Sequence, residues 1–187
     1  MEELKDYSGE FRPDLKLQDF SKDALVRMWG AAAKLYIGID GLWYTLIKER
    51  FGEQTAMELE QEIWRRATPP EAKRAAEALN IQGNDVATCF KTWQVDPGGA
   101  GILDLEFDLK NKNHGILTVK RCAALDYFEG HGYSNEAIKW MCEIIDGKEF
   151  ENYAHVFNPK IEVAPLFLPP RKSGDKIACQ WELKLEG

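Results

Sequence analysis

The sequence predicts an α+β domain with N-terminal helices, a β-hairpin, further helices and a second β-hairpin. The four strands form an antiparallel sheet with helices packed on one side. Three observations predict it. Leu25, Met28, Ala32, Leu35, Ile39, Leu42 and Leu46 recur at alternate steps of three and four, the spacing of an amphipathic helix. Residues 103–110, LDLEFDLK, alternate apolar and polar without exception, as a strand with one buried face does. Alternation returns in KIACQWELKL near the end of the chain, where Ile177, Cys179, Trp181, Leu183 and Leu185 share a face.

The elements follow in order. Residues 1–19 read as a loosely packed arm, and residues 20–187 as the domain. The first helix covers about 19–51, and its apolar seam suits either core or a dimer contact. Gly30, Gly38 and Gly41 within it suggest close approach of another backbone or a bend. After Gly52 a second helix spans EQTAMELEQEIWRRA, with Ala56, Leu59, Ile63 and Ala67 on one face. TPPE at 68–71 has the form of a capping box, with Thr68 and Glu71 bonding reciprocally and Pro69 at the first helical position, so a third helix should start there. A short fourth helix is capped by Asn84. DPGGAG is a turn, NKNHG turns the first hairpin, and ILTVKRC is the returning strand. Helical spacing resumes after Ser134 as N-cap and continues through Phe157. KIEVAPLFL, the turn PPRKSGD and KIACQWELKL close the chain.

Composition narrows the function classes. In 187 residues, 24 basic against 31 acidic side chains give a net charge of −7, which disfavours attraction to phosphate backbones or anionic lipid. The expected partner is a small molecule, not nucleic acid or membrane. The N-terminal segment lacks the basic-then-apolar order of a signal peptide, and no apolar run approaches bilayer length, so a cytoplasmic protein is expected. Four cysteines without a CxxC pair are expected as reduced thiols.

Candidate site residues fall into two groups. Asp40 lies one step off an apolar seam, among Tyr36, Trp43 and Tyr44 by helical spacing, and Glu60 borders Ile63 and Trp64 on the next helix. Acids among aromatics, if buried, must be paired or have raised pKa values, which builds a site for proton transfer or for a polar ligand group; an interhelical hydrogen bond is the plainer reading. The second group lies between Cys122 and Cys142. His131, flanked by Gly130 and Gly132, is expected in a mobile loop at a pocket rim, with Cys142 on the pocket wall. Cys142 and Cys179 fall on apolar faces and Cys122 ends a strand. Their wide spacing favours core over metal.

Four stretches together carry a resemblance: IDGLWYTLIKERFGEQTAMELEQEIW, LTVKRCAALDYFEGHG, the helix bearing Cys142, and FNPKIEVAPLFLPPRKSGDKIACQWELKL. The chain resembles a family of cytosolic proteins from anaerobic bacteria related to hydrolases of L-2-amino-thiazoline-4-carboxylate and, more remotely, to small-molecule-binding domains of the vinyl-reductase type. The resemblance implies a domain, often dimeric, that encloses a pocket for a small organic molecule between helices and sheet. It also raises the standing of Cys122, Cys142 and Cys179, as nucleophiles or as ligands to zinc or iron. Some relatives bind zinc through Glu-x-x-Cys, whereas this chain has Glu162 followed three residues later by Pro165, so that metal site would lack a ligand. Two functions follow as expectations. One is a hydrolase-like enzyme acting on a small heterocyclic or aromatic acid, with Cys142 or Cys122 reacting, Asp40 or Glu60 transferring protons, Trp43 and Trp64 as walls, and Tyr36, His131 and Cys179 contacting ligand. The other is a dimeric module that senses or carries a ligand without chemistry.

Overall fold

The computed structural model describes residues 3–172 and 176–186. Helix α1 (Lys22–Phe51) starts where the Ser21 hydroxyl accepts from the backbone N–H of Ala24, and it ends at Gly52. Gly52 adopts φ +89°, a conformation only glycine takes without strain, and so turns the chain straight into α2 (Glu53–Ala78). α3 (Val86–Trp93) is capped by Asp85, whose carboxylate accepts from Thr88 N–H at 2.9 Å. Asp85, not Asn84, therefore performs the capping expected at this helix start.

β1 (Leu103–Asn111) and β2 (His114–Cys122) make the first hairpin, with Phe107 opposite Leu117. β3 (Ile161–Phe167) and β4 (Cys179–Leu185) make the second, with Val163 opposite Leu183. β4 also pairs with β2, so the sheet is fully antiparallel in the order β1-β2-β4-β3. Leu117, Val119, Trp181 and Leu183 face the helices and are buried, while Asp104, Glu106, Glu162 and Lys184 lie exposed on the other face. The fold is α+β, with the helices on one side of a four-stranded sheet. Part of the PPRKSGD turn, residues 173–175, lies outside the described residues.

Between the hairpins the chain is helical nearly throughout. α4 (Ala123–Gly130) begins directly after β2, and α5 (Asn135–Trp140), a π-helical turn (Met141–Asp146) and α6 (Gly147–Phe157) run on as one rod, since Trp140, Asp146 and Gly147 all keep right-handed helical dihedrals. The EGHG segment is therefore not a free loop. Glu129 and Gly130 belong to α4, and Arg171 holds that helix by bonding Glu129 at 2.9 Å and Asp126 at 3.2 Å.

Two further expectations are corrected. The prolines at 69 and 70 do not start a new helix; they sit inside α2. The buried row of α2 runs Ala56, Glu60, Trp64, Thr68, Ala72, Ala76 in strict steps of four, across both prolines. Such a row is a packing ridge, and seating it against α1 and α6 outweighs the backbone hydrogen bonds that proline forfeits. Leu59, expected on the buried face, is exposed instead. In α1 the buried residues are Ala24, Ala33, Tyr44 and Ile47, whereas Met28, Leu35, Ile39, Leu42 and Leu46 of the expected seam are all exposed. That seam is not core. Among the described residues, and apart from the helix's own backbone, nothing lies within 4 Å of where a side chain on Gly30, Gly38 or Gly41 would begin, so these glycines mark no close approach there.

Candidate ligand-binding site

Between the helices and the inner face of the sheet lies a cavity of about 130 Å³. Its floor is Leu117, Val119 and Cys179 from the sheet, with Cys122 where β2 passes into α4. Trp64, Trp93, Phe128 and Phe150 supply aromatic walls. Trp93 is fixed by stacking on Tyr153 at 4.7 Å and by an edge contact with Phe150.

The polar lining is almost wholly acidic. Asp40 comes from α1, Glu60 and Glu71 from α2, Asp96 from the turn before β1, Asp146 from the π-helical turn and Glu149 from α6. None of the lining residues is Lys, Arg or His among the described residues. Buried carboxylates facing one another cannot all ionise, and the structure resolves the conflict by pairing. Glu60 and Asp40 share a hydrogen bond, and the Trp64 indole N–H donates to Glu60 at 3.0 Å. Burial and the neighbouring Asp40 charge push Glu60 up to about 8; Asp40 is also raised, by burial. The second pair is Glu71 with Asp96. Asp96 is fully buried and accepts from the N–H of Gly98 at 2.8 Å, the N–H of Gly99 at 3.1 Å and the Tyr153 hydroxyl at 3.1 Å. Burial and Asp96 push Glu71 up to about 8, while the Tyr36 hydroxyl donates to it at 3.2 Å.

Asp146 and Glu149 are placed by the π-helical turn. A single wider turn rotates the rod so that Cys142, Asp146, Glu149 and Tyr153 all meet the cavity, a use of π geometry that is frequent at functional sites. Burial raises Asp146 to about 7, and its bond with the Cys142 thiol is a smaller, opposing effect. Among the described residues Glu149 has no hydrogen-bond partner. Burial, then the charges of Asp146, Glu71, Asp96 and Asp40, hold its carboxyl well above the usual range.

The expected site residues divide accordingly. Cys122, Cys142 and Cys179 converge on the cavity, apart from Cys89, which is buried in α3. Burial pushes the thiols of Cys122 and Cys179 up to about 11 and about 12, and raises Cys142 further still. They are poor nucleophiles as they stand. Among the described residues no three His, Cys, Asp or Glu side chains group as a metal-ligand set, so the zinc or iron that the resemblance implies does not fit these cysteines. Asp40, Glu60 and Trp64 line the cavity, and Tyr36 stands behind them, edge-on to Trp64 at 5.9 Å. Trp43 and His131 do not belong. Trp43 projects outward at 45% exposure because its position falls off the inward row of α1. His131 is exposed, stacked on Tyr127 at 3.9 Å, and borders a separate surface hollow with Tyr44, Lys48 and Tyr133.

Glu71, Asp96, Asp146 and Glu149 are the residues that sequence reasoning missed. Glu71 looked like a cap and Asp96 like a turn residue. The signal for the other two was present: Cys142, Asp146, Glu149 and Tyr153 follow at steps of four, three and four, which sets two acids on an otherwise apolar stripe.

A larger recess of about 430 Å³ between α1 and α4 shares Asp40, Glu60, Phe128 and Met141 with the inner cavity, and Gly38 and Gly41 line its outer side. It is the mouth. Residues 18–185, which include every lining residue named above, match the model of a family of unknown function, DUF6125. The chain belongs to that family. No curated protein and no solved structure matches it. The match leaves out most of the N-terminal arm and covers α1 through β4.

Proposed function

We propose that the protein binds a small organic molecule in the inner cavity and that its paired carboxyls transfer protons to or from it, in the manner of a hydrolase. The observation that carries this reading is the pair Asp40 and Glu60 at the wall between mouth and cavity, with Glu60 raised to about 8. A carboxyl that exchanges its proton near neutral pH beside a ligand-sized space is what general acid–base chemistry requires. The raised thiols favour a second reading, in which the cysteines are wall residues and the protein only senses or carries its ligand. Both readings place the protein in the cytoplasm, in keeping with four unpaired cysteines. Among the described residues no helix is long and apolar enough to cross a membrane.

The test is to fill the mouth. Gly41→Trp puts an indole into the recess while leaving every carboxyl in place, and nothing among the described residues lies within 4 Å of where its side chain would begin. A thermal-shift library of small molecules should stabilise the wild-type chain and lose its effect on the variant. A library that stabilises neither, or both equally, removes the reading.

The same reading includes a homodimer formed through α1. The exposed seam places Leu25, Ala32, Ile39 and Leu46 at one heptad position and Met28, Leu35 and Leu42 at the other, the pattern a second identical helix complements. Ala31, Gly38 and Thr45, all small, run alongside and let a partner helix come near. With Trp29 and Trp43 the seam exposes on the order of 700 Å² of apolar surface, close to the ~800 Å² per partner of a standard interface and beyond what monomers usually leave bare.

A further inference from the structure

We propose, resting on the pocket reading above, that the ligand is a small organic cation: a protonated amine on a compact apolar body, with its ammonium against Glu149. Four observations lead there. Glu149 lines the cavity half-buried, and among the described residues nothing hydrogen-bonds its carboxyl, whose oxygens are left open instead of sealed in protein. It lies within electrostatic reach of Asp40, Glu71, Asp96 and Asp146, and among the described residues no cationic side chain lines the space. A ligand amine would bring the positive charge that the cavity lining lacks. The rest of the wall is mainly aromatic and aliphatic with three thiols, and it includes Trp64 and Trp93, the side-chain type that attracts an ammonium most strongly. The volume of about 130 Å³ is comparable to the cavity of ~150 Å³ that takes up benzene in an engineered protein.

The charge logic also selects against the alternatives. The small acid that the resemblance implies would set its carboxylate among six carboxyls with no cation to offset it. A metal ion would need three ligands brought together, and among the described residues no such group exists. An ammonium needs no fixed coordination geometry; its three N–H donors can satisfy Glu149 and one oxygen of each carboxyl pair. Its arrival makes ionisation of Glu60 and Glu71 favourable, so binding releases protons and tightens as pH rises.

Three probes of nearly one shape separate the cases: benzylamine, benzyl alcohol and benzoate, each titrated into the full chain by calorimetry near pH 6 and near pH 8. Benzylamine should bind most tightly, and more tightly at the higher pH. Glu149→Gln should weaken it by about tenfold, the loss of about one charge-assisted hydrogen bond, while leaving benzyl alcohol unchanged. Glu71→Gln, at the second pair, should weaken the amine in the same direction if the first variant folds poorly. Benzoate or benzyl alcohol binding as tightly as benzylamine overturns the cation while leaving the pocket standing. So does amine affinity that stays flat or falls with pH. Saturation by none of the three removes the pocket reading together with it. Zinc stabilising the chain more than benzylamine, and displacing it, would replace the amine by a metal.

Discussion

Asp96 shows how much of the site depends on single backbone positions. Its carboxylate is held by the two amide N–H groups of Gly98 and Gly99 and by Tyr153, and Glu71 closes the pair from α2. The turn can approach Glu71 only because residue 98 has no side chain: a β-carbon there would lie 2.5 Å from the Glu71 Oε1. Gly98→Ala should therefore push Glu71 off Asp96 and destabilise the fold by about 1–3 kcal/mol, the usual cost of overpacking, measured by denaturant unfolding. Gly30→Ala meets open space and should stabilise by up to about 1 kcal/mol through helix propensity alone. At this scale the sequence was legible where chemistry is local. Asp40 and Glu60 stood out because acids among aromatics break a pattern, whereas Glu71 and Asp96 each had an adequate local role, cap and turn, that hid the long-range one.

For whole elements the strands were read most accurately, because period-two alternation depends on nothing beyond the strand itself. Helices depend on what they pack against. The row of α2 that is buried, from Ala56 to Ala76 by fours, includes Glu60 and Thr68, so hydrophobicity pointed to Leu59 and Ile63 instead. α4 escaped notice because only Leu125 of its eight residues is buried, which leaves almost no periodic signal. The clearest apolar stripe of the sequence, on α1, turned out to face solvent, and its meaning then passes from folding to association. Light scattering should give twice the chain mass for the wild-type protein. Leu35→Glu with Leu42→Glu should give a monomer whose helical content is retained, since both side chains are already exposed at 64% and 60%. A monomeric wild-type protein, or a doubly charged variant that still dimerises, would leave the seam without this role.

For the molecule as a whole, the inner carboxyls make stability depend on pH in an unusual direction. Glu60 and Glu71 rise from an ordinary 4.5 to about 8, and Asp146 rises from 3.8 to about 7, each chiefly because burial penalises the charged form. A raised carboxyl holds its proton in the folded chain at pH values where the unfolded chain has released it. Below about pH 4.5 both states are protonated and the full stability is present; as pH rises toward about 8, the unfolded state gains from ionising and the folded state does not. Surface acids such as Glu62 and Glu182, both half-buried, are lowered by hydrogen bonds to Arg65 and to Lys184, so their contribution is lost only at lower pH, and solvent screening keeps it small. The two effects occupy separate windows. The melting temperature should fall by several degrees between about pH 5 and about pH 8, where each kcal/mol is worth roughly 2–4 °C in a domain of this size. Glu60→Gln removes one ionisation while keeping an oxygen that can accept from Trp64, so its melting curve should be flatter with pH and should cross above the wild type near the alkaline end. Stability that instead rises across this range would mean that the carboxyls are ionised and matched by cations in the folded chain, and the unmatched acidic cavity would not exist.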